Sequence, residues 1–122
     1  MPTDEEWKQL EISLGMTRED ADFEGFRASG DVGEKLKEAG NTHWVAPNNA
    51  TNESGFTALP AAFRPYSGDF SYIVAGHNAY FWTSTEEDIY EAYYRMLRHD
   101  LKSVVRRGLN KNEGCAVRCF KD

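Results

Sequence analysis

From Thr51 to its C-terminus the chain carries almost no plain helical periodicity. The stretch opens with TNESGFTALP, runs through YFWTSTE and AYYRML, and closes beyond Lys111 on GCAVRC. Aromatic and β-branched residues in short runs, broken by glycines, suit short strands joined by turns. This half therefore describes loops and short strands, in which backbone shape counts for more than one reactive side chain. It contains no catalytic motif.

At 122 residues the chain has the length of one domain, residues 1–122. Apolar residues make up 40% of it and sixteen are aromatic, enough for a core. No run approaches the ~18 apolar residues that would span a bilayer, and no signal-peptide pattern is present. The net charge of −6 is unevenly placed: residues 1–91 hold 17 acids against 6 bases, and residues 92–121 hold 8 bases against 2 acids. Such segregation can steer an anionic partner toward the C-terminal region. The plainer reading pairs those bases with acids of the preceding body.

In the N-terminal half, Thr3-Asp4-Glu5-Glu6 forms a capping box. It predicts a helix to about Leu14 with Trp7, Leu10 and Leu14 on one face and Gly15 as terminator. Thr17–Asp20 reads as a second cap before a short helix over Glu19–Phe23, and Asp31 as the opener of a third, Val32–Glu38. Residues 41–52 are polar and turn-rich and read as an exposed loop. Strands are expected at Phe56–Leu59, Phe70–Val74 and Tyr80–Thr83, and a half-buried terminal strand over Cys115–Phe120. Over Glu86–Leu97 both periods fit, and spacing alone slightly favours a helix.

Few side chains offer chemistry. His43, His77 and His99 have no partner at metal-ligand spacing, and no serine elbow or phosphate-cradling glycine loop occurs. Cys115 and Cys119 on one strand face would lie roughly 13 Å apart, too far to bridge each other, and read as buried thiols. No cofactor is expected. Asn48, Asn49, Asn52 and Glu53 could offer oxygens to calcium, with a solvated loop the better reading. Trp7 and Trp82 read as core, and Trp44 is the least certain of the three tryptophans that could stack on a sugar. Arg64, Arg95 and Arg118 alternate with apolar residues and read as braces for backbone carbonyls.

The segments PTDEEWKQLE, GEKLKEAG followed by Trp44, TNESGFTALPAAFR, SGDFSYI, AYFWTSTE, AYYRML and the closing VRC stand in an order that resembles the Fibrobacter succinogenes major paralogous domain family. The resemblance covers nearly all the chain. It implies an α+β, C-type lectin-like fold, with two to three short N-terminal helices packed on short twisted antiparallel strands with long loops. It also turns Ala92–Arg98 from helix to strand. The family's Cys-Pro-x-Gly-Trp-His stretch, expected ahead of Pro2, is missing here. The first strand and partner for Cys119 that the resemblance implies are therefore absent or lie outside this sequence.

Membership of that family implies a surface or secreted protein of Bacteroidetes, extracellular or displayed on the outer surface. The expected function is non-enzymatic recognition of a glycan or protein ligand, anionic in character and not a nucleic acid. Related receptors diversified by retroelements vary this C-terminal stretch, which makes Arg98–Asn110 a candidate for diversification. The expected ligand-binding residues are Tyr94, Arg98, His99, Lys102, Arg107, Leu109 and Asn110, carried on connections between the last strands. The alternatives are a spacer module of a larger surface lipoprotein and a remnant of the superfamily's oxidase, whose reactive cysteine pair is not reproduced.

Overall fold

A computed structural model describes residues 1–61 and 76–113. Three short helices, α1 (Asp4–Ser13), α2 (Arg18–Asp22) and α3 (Val32–Leu36), precede most of an antiparallel sheet. Its strands are β1 (Gly25–Arg27), β2 (Asn78–Glu86), β3 (Glu91–Arg98) and β4 (Val104–Asn110), in the order β1-β4-β3-β2. The expected α+β class, with short N-terminal helices and antiparallel strands, is what forms.

Local chemistry accounts for the helices. Thr3 Oγ1 accepts from the amide of Glu6 at 3.0 Å, and the Glu6 carboxylate accepts from the amide of Thr3 at 3.0 Å, completing the capping box. Thr17 caps α2 through the amide of Asp20. Gly15 follows α1 at φ +118°, where a side chain would be strained. Asp31 does stand before α3, but in a left-handed conformation and without a capping hydrogen bond from its side chain. That helix stops at Leu36, short of the expected Glu38, because the chain turns extended at Lys37.

Two expectations about strands need correction, and one strand is new. Residues 98–110 are not one loop: only 99–103 turn the chain, and Val104–Asn110 is an inner strand, paired with β1 on one side and β3 on the other. Its two valines favour a pleated strand, and its inward Arg106 finds buried partners. Phe56–Leu59 makes only a single bridge, Ala58 to Lys37, and Leu59 is exposed. Gly25–Arg27, unforeseen, closes the sheet's far edge. Residues 91–98 are strand, as the resemblance and not the spacing required. The expected strands Phe70–Val74 and Cys115–Phe120, with Arg64, Arg118 and both cysteines, lie outside the described residues.

The core lies between the helices and one sheet face. Trp7, Phe56 and Phe81 form a triangle of rings with centroids 5.7, 5.9 and 6.2 Å apart. Val32, Leu36, Ala58, Ala79, Leu97 and Val104 surround it, all at 1% exposure or less. Trp44, the least certain tryptophan, is buried and donates through Nε1 to the Ala58 carbonyl at 3.0 Å. Trp82 departs from expectation in the other direction, standing half-buried outside this core.

The same face buries an ionic brace. Arg95 and Arg106 stand directly opposite each other on β3 and β4, a like-charge pairing that is unfavourable by itself. The Asp4 carboxylate resolves it, accepting from Arg95 Nη1 at 2.6 Å and from Arg106 Nη2 at 2.9 Å. Glu11, about two turns further along the same face of α1, accepts from Arg95 Nε at 2.9 Å and from Arg27 Nη1 at 3.0 Å. Burial works to raise the Asp4 pKa, but hydrogen bonds and charge from Arg106 and Arg95 outweigh it and hold the group below 3.8. Three guanidiniums meet two carboxylates, and the carbonyls of Asp4, Val104 and the end of α2 supply further acceptors. Asp20 O and Ala21 O accept from Arg27, and Asp22 O accepts from Arg106.

Candidate functional site

The register divides the expected ligand-binding residues into two groups. Tyr94 lies opposite Arg107, and Ala92 opposite Leu109, so Tyr94, Arg107 and Leu109 share the sheet face turned away from α1. Arg98, His99 and Lys102 stand at the other end of the β3–β4 pair, in and beside its connecting turn. Asn110 closes β4 opposite Glu91 and accepts the amide of Asn112 on its side chain at 2.9 Å. The seven residues do not converge on one surface.

The first group is a strip of rings and one guanidinium. Tyr94 stacks on Tyr80 of β2 with centroids 6.0 Å apart and planes 28° from parallel. Arg107 is exposed and holds its guanidinium carbon 5.4 Å from the ring centre of Phe26 on β1. Among the described residues Arg107 has no carboxylate partner, which sets it apart from Arg98, Lys102, Arg106 and Lys111. Leu109 is half-buried beside it.

The second group is largely engaged within the fold. Arg98 pairs with Asp100 at 2.7 Å, and Lys102 reaches Asp31 at 3.5 Å. His99 is buried, with Nδ1 3.0 Å from the Pro47 carbonyl and its ring edge-on to His77 at 4.9 Å. Beneath the turn lies Lys37, which sequence reasoning missed. Its ammonium donates to the carbonyls of Arg98, His99 and Leu101 at 2.7, 3.3 and 2.9 Å. Burial lowers its pKa to about 8, so it remains a cation at neutral pH with all three protons used.

The oxygen-rich loop is similarly occupied. The Asn48 side chain donates to the carbonyls of Glu38 and Gly40 and accepts the amide of Ala50. Asn52 bridges to Thr57 through both of its side-chain polar atoms. These amides shape turns. Among the described residues no group of three or more His, Cys, Asp or Glu side chains is arranged to hold a metal ion.

An open groove of about 280 Å³ lies at the far end of β2, between Met1, Trp82, Ala92 and the ion pair of Glu86 with Lys111, 2.9 Å across. Trp82, opposite Tyr94, shares the outward face with Ala92, and the irregularity of β2 between Trp82 and Glu86 lies beside the groove. The brace residues Asp4, Glu11 and Arg27 also escaped the sequence reading. Their one signal was the spacing Asp4, Trp7, Glu11, which places two acids on the buried stripe of α1.

Among the described residues no helix is long and apolar enough to cross a membrane. The family model of the Fibrobacter succinogenes major domain matches residues 1–121. No curated protein and no solved structure matches the chain.

Proposed function

The chain belongs to the Fibrobacter succinogenes major domain family, and from that premise we propose that it is a non-enzymatic recognition domain, lectin-like in fold, displayed on the outer surface or secreted. Its ligand is an anionic glycan or an acidic protein surface. The observation that carries this reading is Arg107: exposed, laid over Phe26, opposite Tyr94, and without a carboxylate partner among the described residues. A guanidinium on an aromatic ring is already partly desolvated and oriented, so it loses little freedom when it takes an anion. The brace supports the same reading, since a sheet locked to α1 presents these side chains rigidly. In a diversified member of such a family, Arg98, Lys102, Arg107 and Asn110 are the positions free to vary, because Val104, Val105 and Arg106 are buried.

A spacer module is the second reading. It is favoured by the internal pairing of Arg98, Lys102 and Lys111. The test is an array of glycans and proteins probed with the wild type and with Arg107→Glu at low and high salt. Binding that weakens with salt and is lost in the variant supports recognition through Arg107. Binding that survives the substitution removes Arg107 from the site. No binding by either protein supports the spacer.

A further inference from the structure

The largest apolar exposure among the described residues is at the tip of the β2–β3 hairpin, where Ile89 is 74% and Tyr90 68% exposed. Neighbouring large apolar side chains left in water, on a segment that could have been polar, mark a contact surface. The tip is also firmly built. Asp88 Oδ1 accepts the amides of Tyr90 and Glu91 at 2.7 and 2.8 Å. The Glu91 carbonyl accepts the amides of Glu87 and Asp88, and the Tyr90 carbonyl accepts that of Lys111 at 2.9 Å. Lys111 Nζ adds a bond to the Ile89 carbonyl at 3.3 Å while holding Glu86. These bonds order the backbone before any partner arrives, which removes part of the entropy cost of association.

We propose that this tip is a protein-docking knob, in which Ile89 and Tyr90 enter an apolar pocket whose rim carries lysine or arginine. The rim chemistry follows from the carboxylates around the tip: Glu24, Glu87, Asp88 and Glu91 crowd together, while the ammonium of Lys111 pairs with Glu86 instead. The Glu87 pKa is raised, first by lost hydration, then by a hydrogen bond to Glu24 and by the charges of Glu24, Glu91 and Asp88. A basic rim relieves that repulsion, and complementary charge speeds encounter. The groove beside Trp82 and Ala92 adjoins through Glu86 and Lys111 and extends the apolar contact. A glycan fits less well, because an exposed isoleucine offers nothing to hydroxyl groups and the carboxylates repel acidic sugars. The acidic tip is a surface distinct from Arg107 and selects the opposite charge in its partner.

The experiment is selection of phage-displayed cyclic peptides on the whole protein, with prior subtraction on Ile89→Ser/Tyr90→Ser. Enriched peptides are then titrated against wild type, Tyr90→Ser, Glu87→Lys and Arg107→Glu. The expected peptides place lysine or arginine beside leucine, phenylalanine or tryptophan. They bind wild type about tenfold or more tighter than Tyr90→Ser or Glu87→Lys and weaken with salt. They bind Arg107→Glu as they bind wild type, which keeps the fate of the anion-binding reading separate. Unchanged thermal midpoints certify that these exposed substitutions leave the fold intact. Acidic or wholly polar peptides, equal binding to the tip variants, or a glycan ligand lost in Tyr90→Ser would overturn the proposal. So would self-association abolished by Tyr90→Ser, which would make a second copy the occupant.

Discussion

Arg95 on β3 donates from Nη1 to Asp4 Oδ1 at 2.6 Å, joining the middle of that strand to the first residue of α1 across 91 positions of sequence. Both side chains are nearly without solvent contact. The bond is therefore a long-range contact that only the folded chain can make, and the Arg106 guanidinium on the same carboxylate ties it to a second strand.

Replacing Arg95 by methionine keeps most of the volume but leaves Asp4 and Glu11 with fewer donors. Removing one partner of a buried pair costs about 3–5 kcal/mol. Urea denaturation of Arg95→Met should show a loss in that range, and a loss below about 1 kcal/mol would mean the brace is not structural.

Acid should release the same brace. Asp4 has a folded pKa below its ordinary 3.8, so the folded state favours the ionised form more than the unfolded chain does. Its contribution is complete above that ordinary value and disappears as pH falls through it toward the folded pKa. Stability measured from about pH 5 to pH 2 should fall less steeply in Asp4→Asn than in wild type, from a lower starting point.

Gly33 sits where α3 touches the β3–β4 turn. A Cβ there would stand 2.5 Å from the Ser103 carbonyl oxygen and 2.7 Å from that of Lys102, backbone atoms that cannot swing away. Gly33→Ala should cost about 1–3 kcal/mol by overpacking, despite alanine's better helix propensity. Thermal unfolding of the two proteins decides it.

Lys37→Met removes the donor of three carbonyls and should destabilise the protein by about 2 kcal/mol at pH 7. Burial lowers the wild-type lysine to about 8, from 10.5, so between those values the unfolded chain holds more protons than the folded one. Stability then rises with pH across that window. The gap between wild type and Lys37→Met should widen from pH 7 to pH 10, and a gap independent of pH would show that burial does not depress this amine.

Short-range chemistry was the legible part of the molecule. Thr3 and Glu6 announced the start of α1, and the scaffold role read for Arg95 agrees with its place in the brace. The site was less legible. Tyr94, Arg107 and Leu109 come together only because β3 and β4 pair in one register, while His99, expected among the ligand-binding residues, is buried against Pro47 and His77. Strand β4 is not foreseen, because the sequence reading puts these bases on a connection between strands, whereas Arg106 faces inward to Asp4.

The sequence by itself determined the helix caps, the class of the fold and its family, because these rest on neighbours within a few residues or on an ordered set of motifs. Only the tertiary structure decided which charges are structural. Asp4, Glu11, Arg27, Lys37, Arg95 and Arg106 are drawn inside because each meets a partner or a row of carbonyls there, whereas Arg107 stays outside on Phe26. A charge is buried or exposed according to the groups it meets across the fold, and those groups lie up to about a hundred residues away in the chain.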